Sequence, residues 1–423
     1  MLGRYAISIC AAAAMLAAPS ARADETTERG ATAHLSPYGV CAHISRGDEH
    51  PVARRELQAM RAAGIAWVRT DFSWSGVERR PGDWDFAQLD ETVDWAEAAG
   101  VEILPILDYD VPWARPAHEH LDKWLVYVRR IVKRYKDRLR YWEVWNEPNL
   151  QQFWHDKPDP KAYAKMLRAT YDAIKQIDPE LVVLFGGTAE IPWSFIEGVY
   201  QSGGAETFNV MNVHPYRYPA APEQRPLYED LLRLRRLMEK YGDGDKPIWA
   251  TEVGWPTHEG PRGVSLPRQA QMLARCYLLS LQAGVEVVFW YEFQAPEERA
   301  DYNEHHFGIV HRDISPKPAY AAMAALTRAR PSGSKAVERP WRTGDVYHPA
   351  WQRPDGETAW ALWRVGDDHG YAVQIEGAVA EAFDHLGQPV DLDATTGSVR
   401  LTLGEGPIYL IGPAELTIGQ AAK

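Results

Sequence analysis

Between residues 38 and 330 the chain alternates short apolar runs with longer stretches of helical spacing. The runs predict strands at Tyr38–Ile44, Ala66–Phe72, Glu102–Asp108, Tyr141–Trp145, Leu181–Phe185, Val210–His214, Pro247–Thr251 and Glu286–Tyr291. Between them, apolar residues three or four apart mark helix faces. Phe86, Leu89, Val93 and Ala96 make one such face, and Trp124, Val128, Ile131 and Tyr135 another. Tyr163, Leu167, Tyr171, Ile174 and Ile177 follow, then Leu227, Leu231, Leu234, Met238 and Tyr241. Met272, Cys276 and Leu279 precede the last strand, and Tyr320, Met323 and Leu326 follow it. Eight strand–helix units predict a (β/α)8 TIM barrel. An open doubly wound sheet is the structural rival, but no Gly-rich phosphate loop follows the first strand.

The pattern changes after residue 330. A linker, Arg-Pro-Ser-Gly-Ser, leads into strand-like runs at Val346–Gln352, Thr358–Val365, Tyr371–Ile375, Ala380–Asp384 and Val399–Ile411. Pro-Asp-Gly, Gly-Asp-Asp and Leu-Gly-Gln-Pro turns separate them, which predicts a small C-terminal all-β, β-sandwich-like domain over 331–423. Its expected role is packing against the barrel, with carbohydrate binding as the alternative.

The N-terminus reads as a signal peptide over 1–23. Arg4 supplies the positive region, Tyr5–Ala18 is apolar, and Ala21-Arg22-Ala23 is the cleavage motif. Residues 24–37 are expected as an N-terminal extension and 38–330 as the barrel domain. Export to the periplasm or the exterior is therefore expected, without membrane insertion, because the apolar stretch is too short for a span. Cys10 leaves with the leader; Cys41 and Cys276 fall in strand-like and helix-like segments and are expected as buried thiols.

Charge narrows the partners. The 423-residue chain has a net charge of −12, and losing Arg4 and Arg22 leaves about −14. So acidic a protein has no general electrostatic attraction for nucleic acid or an anionic membrane. Seventeen Trp and twenty Tyr suit stacking on sugar rings as well as a core.

The chemistry is expected where strands end, since barrel enzymes use the C-terminal ends of their strands. Tyr141–Leu150 reads Tyr-Trp-Glu-Val-Trp-Asn-Glu-Pro-Asn-Leu, with Glu147 just past the fourth strand. Pro247–Trp255 reads Pro-Ile-Trp-Ala-Thr-Glu-Val-Gly-Trp, with Glu252 just past the seventh. Strands four and seven lie nearly opposite, so both carboxylates reach a bond between them, as glycosidic chemistry requires. Structural ion pairs are the alternative. Asn146 suits a sugar 2-hydroxyl, and Tyr216 in His214-Pro215-Tyr216 is placed to donate to the nucleophile. Arg69 would favour an ionised Glu252, or else cap the core with Asp71. Trp290 is expected as a floor under the sugar, with simple packing as the alternative. His43, Trp74, Asp108, Tyr109, Trp113, Trp154, Trp255 and Glu292 are further candidates for substrate contacts, each also readable as packing. His305-His306 lacks a third metal ligand at suitable spacing and is read as loop or subsite.

Trp-Asn-Glu-Pro-Asn at 145–149, His-Pro-Tyr at 214–216, Thr-Glu-Val-Gly-Trp at 251–255 and Trp290 resemble clan A glycoside hydrolases. Trp74-Ser75-Gly76-Val77-Glu78, then Pro81-Gly82-Asp83-Trp84-Asp85-Phe86, and the terminal β domain are similar to family 39 within that clan. Family 5, the cellulase-like group, shares most of the motifs, but Asp108-Tyr109-Asp110 departs from its histidine at the third strand end. The resemblance implies Glu147 as acid/base, Glu252 as nucleophile and a retaining outcome. The expected function is an exported retaining hydrolase of β-glycosides in a polysaccharide or oligosaccharide, endo-acting on an exopolysaccharide or plant-type glycan. The alternatives are an exo-acting β-xylosidase and a catalytically silent glycan-binding protein. A carbohydrate is the expected partner, with no cofactor and no obligate protein partner.

Overall fold

Eight parallel strands form the barrel in the structure, a computed structural model that describes residues 35–46, 50–393 and 395–421. They are β1 (Tyr38–Cys41), β2 (Trp67–Asp71), β3 (Glu102–Leu107), β4 (Tyr141–Val144), β5 (Val182–Leu184), β6 (Met211–His214), β7 (Ile248–Val253) and β8 (Val285–Trp290). Strand five resumes at Thr188–Ala189 after Gly186 and Gly187. Neighbouring strands pair in the order 5-4-3-2-1-8-7-6, with Thr188–Ala189 beyond β6. The two pieces of strand five thus sit at opposite ends of the path. A parallel bridge from Leu184 to Val210 joins those ends and closes the ring. The leader read from the sequence and residues 24–34 of the extension lie outside the described residues.

The strand period of two decides what lies inside. Cys41, Trp67, Leu104, Leu184, Val210, Trp249, Val287 and Phe289 pack together as the interior cluster. Two residues further along come Arg69 on β2, Glu143 on β4, Asn212 on β6 and Thr251 on β7, all buried. An apolar plug therefore supports a polar layer at the C-terminal ends of the strands, where the loops open.

Outside the ring lie α1 (His50–Ala62), α2 (Ala87–Ala99), α3 (Leu121–Tyr135), α4 (Pro160–Ile177), α5 (Trp193–Val199), α6 (Leu227–Lys240), α7 (Leu266–Gln282) and α8 (Pro318–Ala329). Their apolar faces meet the outward-facing strand residues in one continuous core. Caps set their starts: Asp159 accepts from Lys161 N at the head of α4, and Ser265 accepts from Arg268 N at the head of α7.

The C-terminal segment is two packed sheets. One has seven strands, including Ala350–Gln352, Thr358–Arg364 and Ile408–Ile411; the other pairs Gly397–Leu403, His369–Glu376 and Glu415–Ala421. The run expected as Val399–Ile411 is two strands in different sheets, split at Gly404–Pro407. Trp360 and Leu362 face the second sheet, whereas Ala359, Ala361 and Trp363 join the core of the barrel helices. Both faces of the central strand are thereby buried. Arg275 of α7 is fully buried in this contact, paired with Glu223 at 2.7 Å and Glu405 at 3.3 Å.

Candidate active site

Two departures from strand geometry put the paired glutamates inside the mouth. On β4, Tyr141 and Glu143 face inward, and strict alternation would turn Trp145 in and Asn146 out. Trp145 instead has φ 73° and Glu147 φ 45°, left-handed values uncommon for such residues. Trp145 consequently packs outward against Trp124 and Trp154, and Asn146 turns in to accept from Arg69. On β7 the register with β8 shifts between Ala250 and Val253. That irregularity presents both Thr251 and Glu252 to the interior, the way a bulge re-aims a side chain.

The carboxylates of Glu147 and Glu252 and a ring nitrogen of His214 offer atoms that all lie within 4.8 Å of one another. Each glutamate has different company. Arg69 Nη1 donates to Glu252 Oε1 at 2.5 Å and Tyr216 Oη to Glu252 Oε2 at 2.9 Å. Arg69 also makes a fork to Glu143, with Nε and Nη2 each at 2.8 Å. Among the described residues Glu147 has no guanidinium partner; His214 Nδ1 faces its Oε1 at 3.1 Å. Burial raises the pKa of both glutamates. Glu147 goes well above the carboxylate range because the charge of Glu252 adds to burial; Glu252 rises less, opposed by Arg69 and Tyr216. The shared proton therefore belongs on Glu147.

The histidine supports the same assignment. Burial, then Arg69, hold its pKa well below the usual value, so it is neutral. Its Nε2 lies 3.1 Å from Thr251 Oγ1. That hydroxyl gives its one hydrogen to Asn212 Oδ1 at 2.8 Å, closer than Glu143 at 3.5 Å. Thr251 N donates to the same Asn212 oxygen at 3.3 Å, which fixes the amide orientation. Thr251 Oγ1 must then accept from His214, placing the imidazole hydrogen on Nε2. Nδ1 is left as an acceptor facing Glu147, a site that only a protonated Glu147 satisfies. Gly187 makes room, since a Cβ there would meet His214 Nε2 at 1.9 Å.

Around the pair is a cleft of about 740 Å³. Of the residues singled out in the sequence, His43, Arg69, Tyr109, Asn146, Glu147, Tyr216, Glu252, Glu292 and His305 line it. His214 lies just beneath. Arg69 does not pair with Asp71; Asp71 is held by Arg46 at 2.9 Å and approached by His43 at 3.6 Å.

The tryptophans expected at the sugar are elsewhere. Trp290 fails by parity: Phe289 faces inward, so Trp290 points to the helix layer, stacked on Trp255. Tyr291 lines the cleft in its place. Trp255 is buried, donating to Ala220 O at 2.8 Å. Trp74 donates to Glu78 and stacks on Tyr127, with the half-buried Trp113 against its edge. Trp154 stacks on His118 at 4.3 Å. All five lie outside the cleft lining because their rings fill gaps between helices and loops. Asp108 is fully buried behind Asp71 and also outside the lining. Burial, then Asp71, raise its pKa well above the ordinary range, which favours its protonated form.

Sequence reasoning missed Arg46, Tyr218, Arg262, Tyr291 and Glu304, which also line the cleft. Tyr291 was available from the period of two, once Phe289 is known to face inward. The others sit on loops that carry no periodic signal.

Comparison with known proteins agrees with this architecture. The family model described as Cellulase (glycosyl hydrolase family 5) matches residues 39–291. A family 39 glycoside hydrolase from Bacteroides cellulosilyticus WH2 superposes with a TM-score of 0.76 at 25% identity, covering 89% of this chain and 80% of that one. A family 39 β-xylosidase from Caulobacter crescentus gives a TM-score of 0.65 at 18% identity, covering 90% and 97%, a likeness of fold. A β-xylosidase from Geobacillus stearothermophilus is 40% identical over 75 residues, 16% of this chain. The match spans only 14% of that protein's length. With the family model covering most of the barrel, the chain belongs to the glycosyl hydrolase family 5 cellulase group and thus to the clan A glycoside hydrolases, with family 39 enzymes among its structural relatives.

Proposed function

We propose that the protein is an exported retaining hydrolase of β-O-glycosidic bonds, with Glu147 as acid/base and Glu252 as nucleophile. The observation that carries this reading is the unequal environment of two carboxylates within 4.8 Å. Retaining enzymes hold the pair at about 5–5.5 Å, whereas inverting ones need about 6.5–9.5 Å to admit water. Glu147 gives its proton to the glycosidic oxygen as Glu252 Oε2 or Oε1 attacks the anomeric carbon, forming an ester and releasing the leaving sugar. Glu147, now ionised, removes a proton from water, which attacks the same carbon and frees Glu252. Arg69 and Tyr216 stabilise Glu252 as the carboxylate it must be before attack and after release.

Loops from all round the mouth line the cleft, and endo action on a polysaccharide is the first reading of it. The buried tryptophans give that choice no support. The second reading, an exo-acting β-xylosidase, is favoured by what two relatives are called. Export rests on the leader pattern; among the described residues no helix is long and apolar enough to cross a membrane.

A 2-fluoro aryl β-glycoside tests the mechanism. Mass spectrometry should find a single covalent adduct on Glu252; turnover with no adduct, or an adduct elsewhere, overturns the assignment. A protein that binds glycans yet shows neither turnover nor adduct is the silent binding protein. Product lengths from a polymeric substrate separate endo from exo cleavage.

A further inference from the structure

The cleft holds more carboxyl groups than the catalytic pair requires. Asp71, Glu147, Glu190, Glu252, Glu292 and Glu304 line it against three guanidinium groups. Those groups are already engaged: Arg46 on Asp71, Arg69 on Glu143 and Glu252, and Arg262 over the Tyr218 ring at 4.3 Å. Glu190 has the exposed Arg225 at 3.2 Å. At the strand-eight end, Glu292 is 3% exposed and its Oε1 has no hydrogen-bond partner. His43 Nε2 stands 3.6 Å from its other oxygen. Glu304 lines the same part of the cleft and accepts from Asn303 Nδ2 at 2.6 Å. Tyr216, Tyr218, Tyr291 and Phe307 pack edge to face beside them.

A buried carboxylate with a free oxygen is costly until a donor reaches it. Sugar hydroxyls can pair with either carboxyl, but they bring no positive charge and do not let two neighbouring carboxyls ionise together. An ammonium group carries three donors and a full charge, and tyrosine faces also attract cations. Burial, then Glu304, raises the Glu292 pKa well above the usual range, so it holds a proton while the cleft is empty; burial also raises that of Glu304, and an arriving cation lets both ionise.

We propose that the end of the cleft formed by Glu292, Glu304 and the tyrosine cluster receives a protonated amine, so that the substrate is a β-linked glycan containing an amino sugar with a free amino group. The inference rests on the glycosidase reading. The same charges turn away uronic acids and sulfated or phosphorylated sugars.

The test uses three tetrasaccharides of one β-1,4 backbone: glucosamine, N-acetylglucosamine and glucose. Each is titrated calorimetrically into full-length Glu252→Gln protein at a pH where the amine is charged. The glucosamine tetramer should bind at least about tenfold more tightly than the other two, the scale of one charge-assisted contact. Glu304→Gln in the same background should bring that ratio towards one. Inhibition of aryl glycoside hydrolysis by the three tetramers gives the ratio in the wild type, with no variant involved. Equal binding of the three, preference for a neutral tetramer, or binding of none overturns the proposal, as does a ratio unmoved by both Glu304→Gln and Glu292→Gln. Covalent labelling of Glu252 together with equal binding removes the amine inference alone; failure of labelling removes the glycosidase reading beneath it.

Discussion

His214 Nδ1 lies 3.1 Å from Glu147 Oε1 while its Nε2 lies 3.1 Å from Thr251 Oγ1, so one neutral ring links the acid on the fourth strand to the seventh. Because Thr251 spends its hydrogen on Asn212, the ring can only accept from Glu147. Thr251→Val removes the acceptor that holds the imidazole hydrogen on Nε2. The other tautomer then donates to ionised Glu147 and favours it, so the basic limb of kcat/KM against pH should move to lower pH. An unchanged limb would show that the tautomer does not govern Glu147. The lost buried hydrogen bonds should also cost about 1–2 kcal/mol of stability.

Glu252 contributes to the raised pKa of Glu147 by its charge. Replacing it with Gln removes that repulsion, and the Glu147 titration should fall; carbon-13 NMR of labelled carboxyls reads the change directly. Turnover of an activated aryl glycoside should disappear in the same variant. Wild-type-like activity would rule out a nucleophilic role for Glu252.

Glu147→Ala should spare leaving groups that need no proton. Hydrolysis of a dinitrophenyl glycoside should persist far better than that of an alkyl glycoside. Azide should restore the rate and yield the β-glycosyl azide. Equal losses on both substrates, without rescue, would argue against acid catalysis by this residue.

Arg69 is bonded to both Glu143 and Glu252, and it is 3% exposed. Arg69→Met leaves two buried carboxylates uncompensated, and unfolding in urea should register a loss of about 3–5 kcal/mol. Adding Glu143→Gln should recover part of it, because the two effects are coupled through one contact.

Trp290 and Tyr291 are adjacent in sequence but face different layers. Trp290→Ala should cost about 3–5 kcal/mol of stability, as for other buried Trp truncations, with little change in KM for the folded fraction. Tyr291→Ala should instead raise KM at a smaller cost in stability. The reverse pattern would restore Trp290 to the sugar.

The barrel was legible because its signals are local. Apolar runs bounded by turns marked all eight strands, and helical spacing marked the faces that cover them. Glu147 and Glu252 stood out because each follows such a run, and counting strands paired them. The aromatic residues were not legible in the same way. A tryptophan near a strand end reads alike whether it faces sugar or core, and Trp74, Trp154, Trp255 and Trp290 are all fully buried.

By itself the sequence determined the strand count, the C-terminal β layers and the two strand-end carboxylates, because period and turn chemistry are properties of neighbouring residues. Only the tertiary structure decided the rest. The left-handed backbone at Trp145 and the register shift on β7 reset alternation, turning Asn146 and Glu252 inward. Closure of the ring then brought Arg69, His214 and Thr251 to the glutamates and gave each a different environment. Those contacts join residues as much as 183 positions apart, and their electrostatics depend on burial that no local pattern encodes.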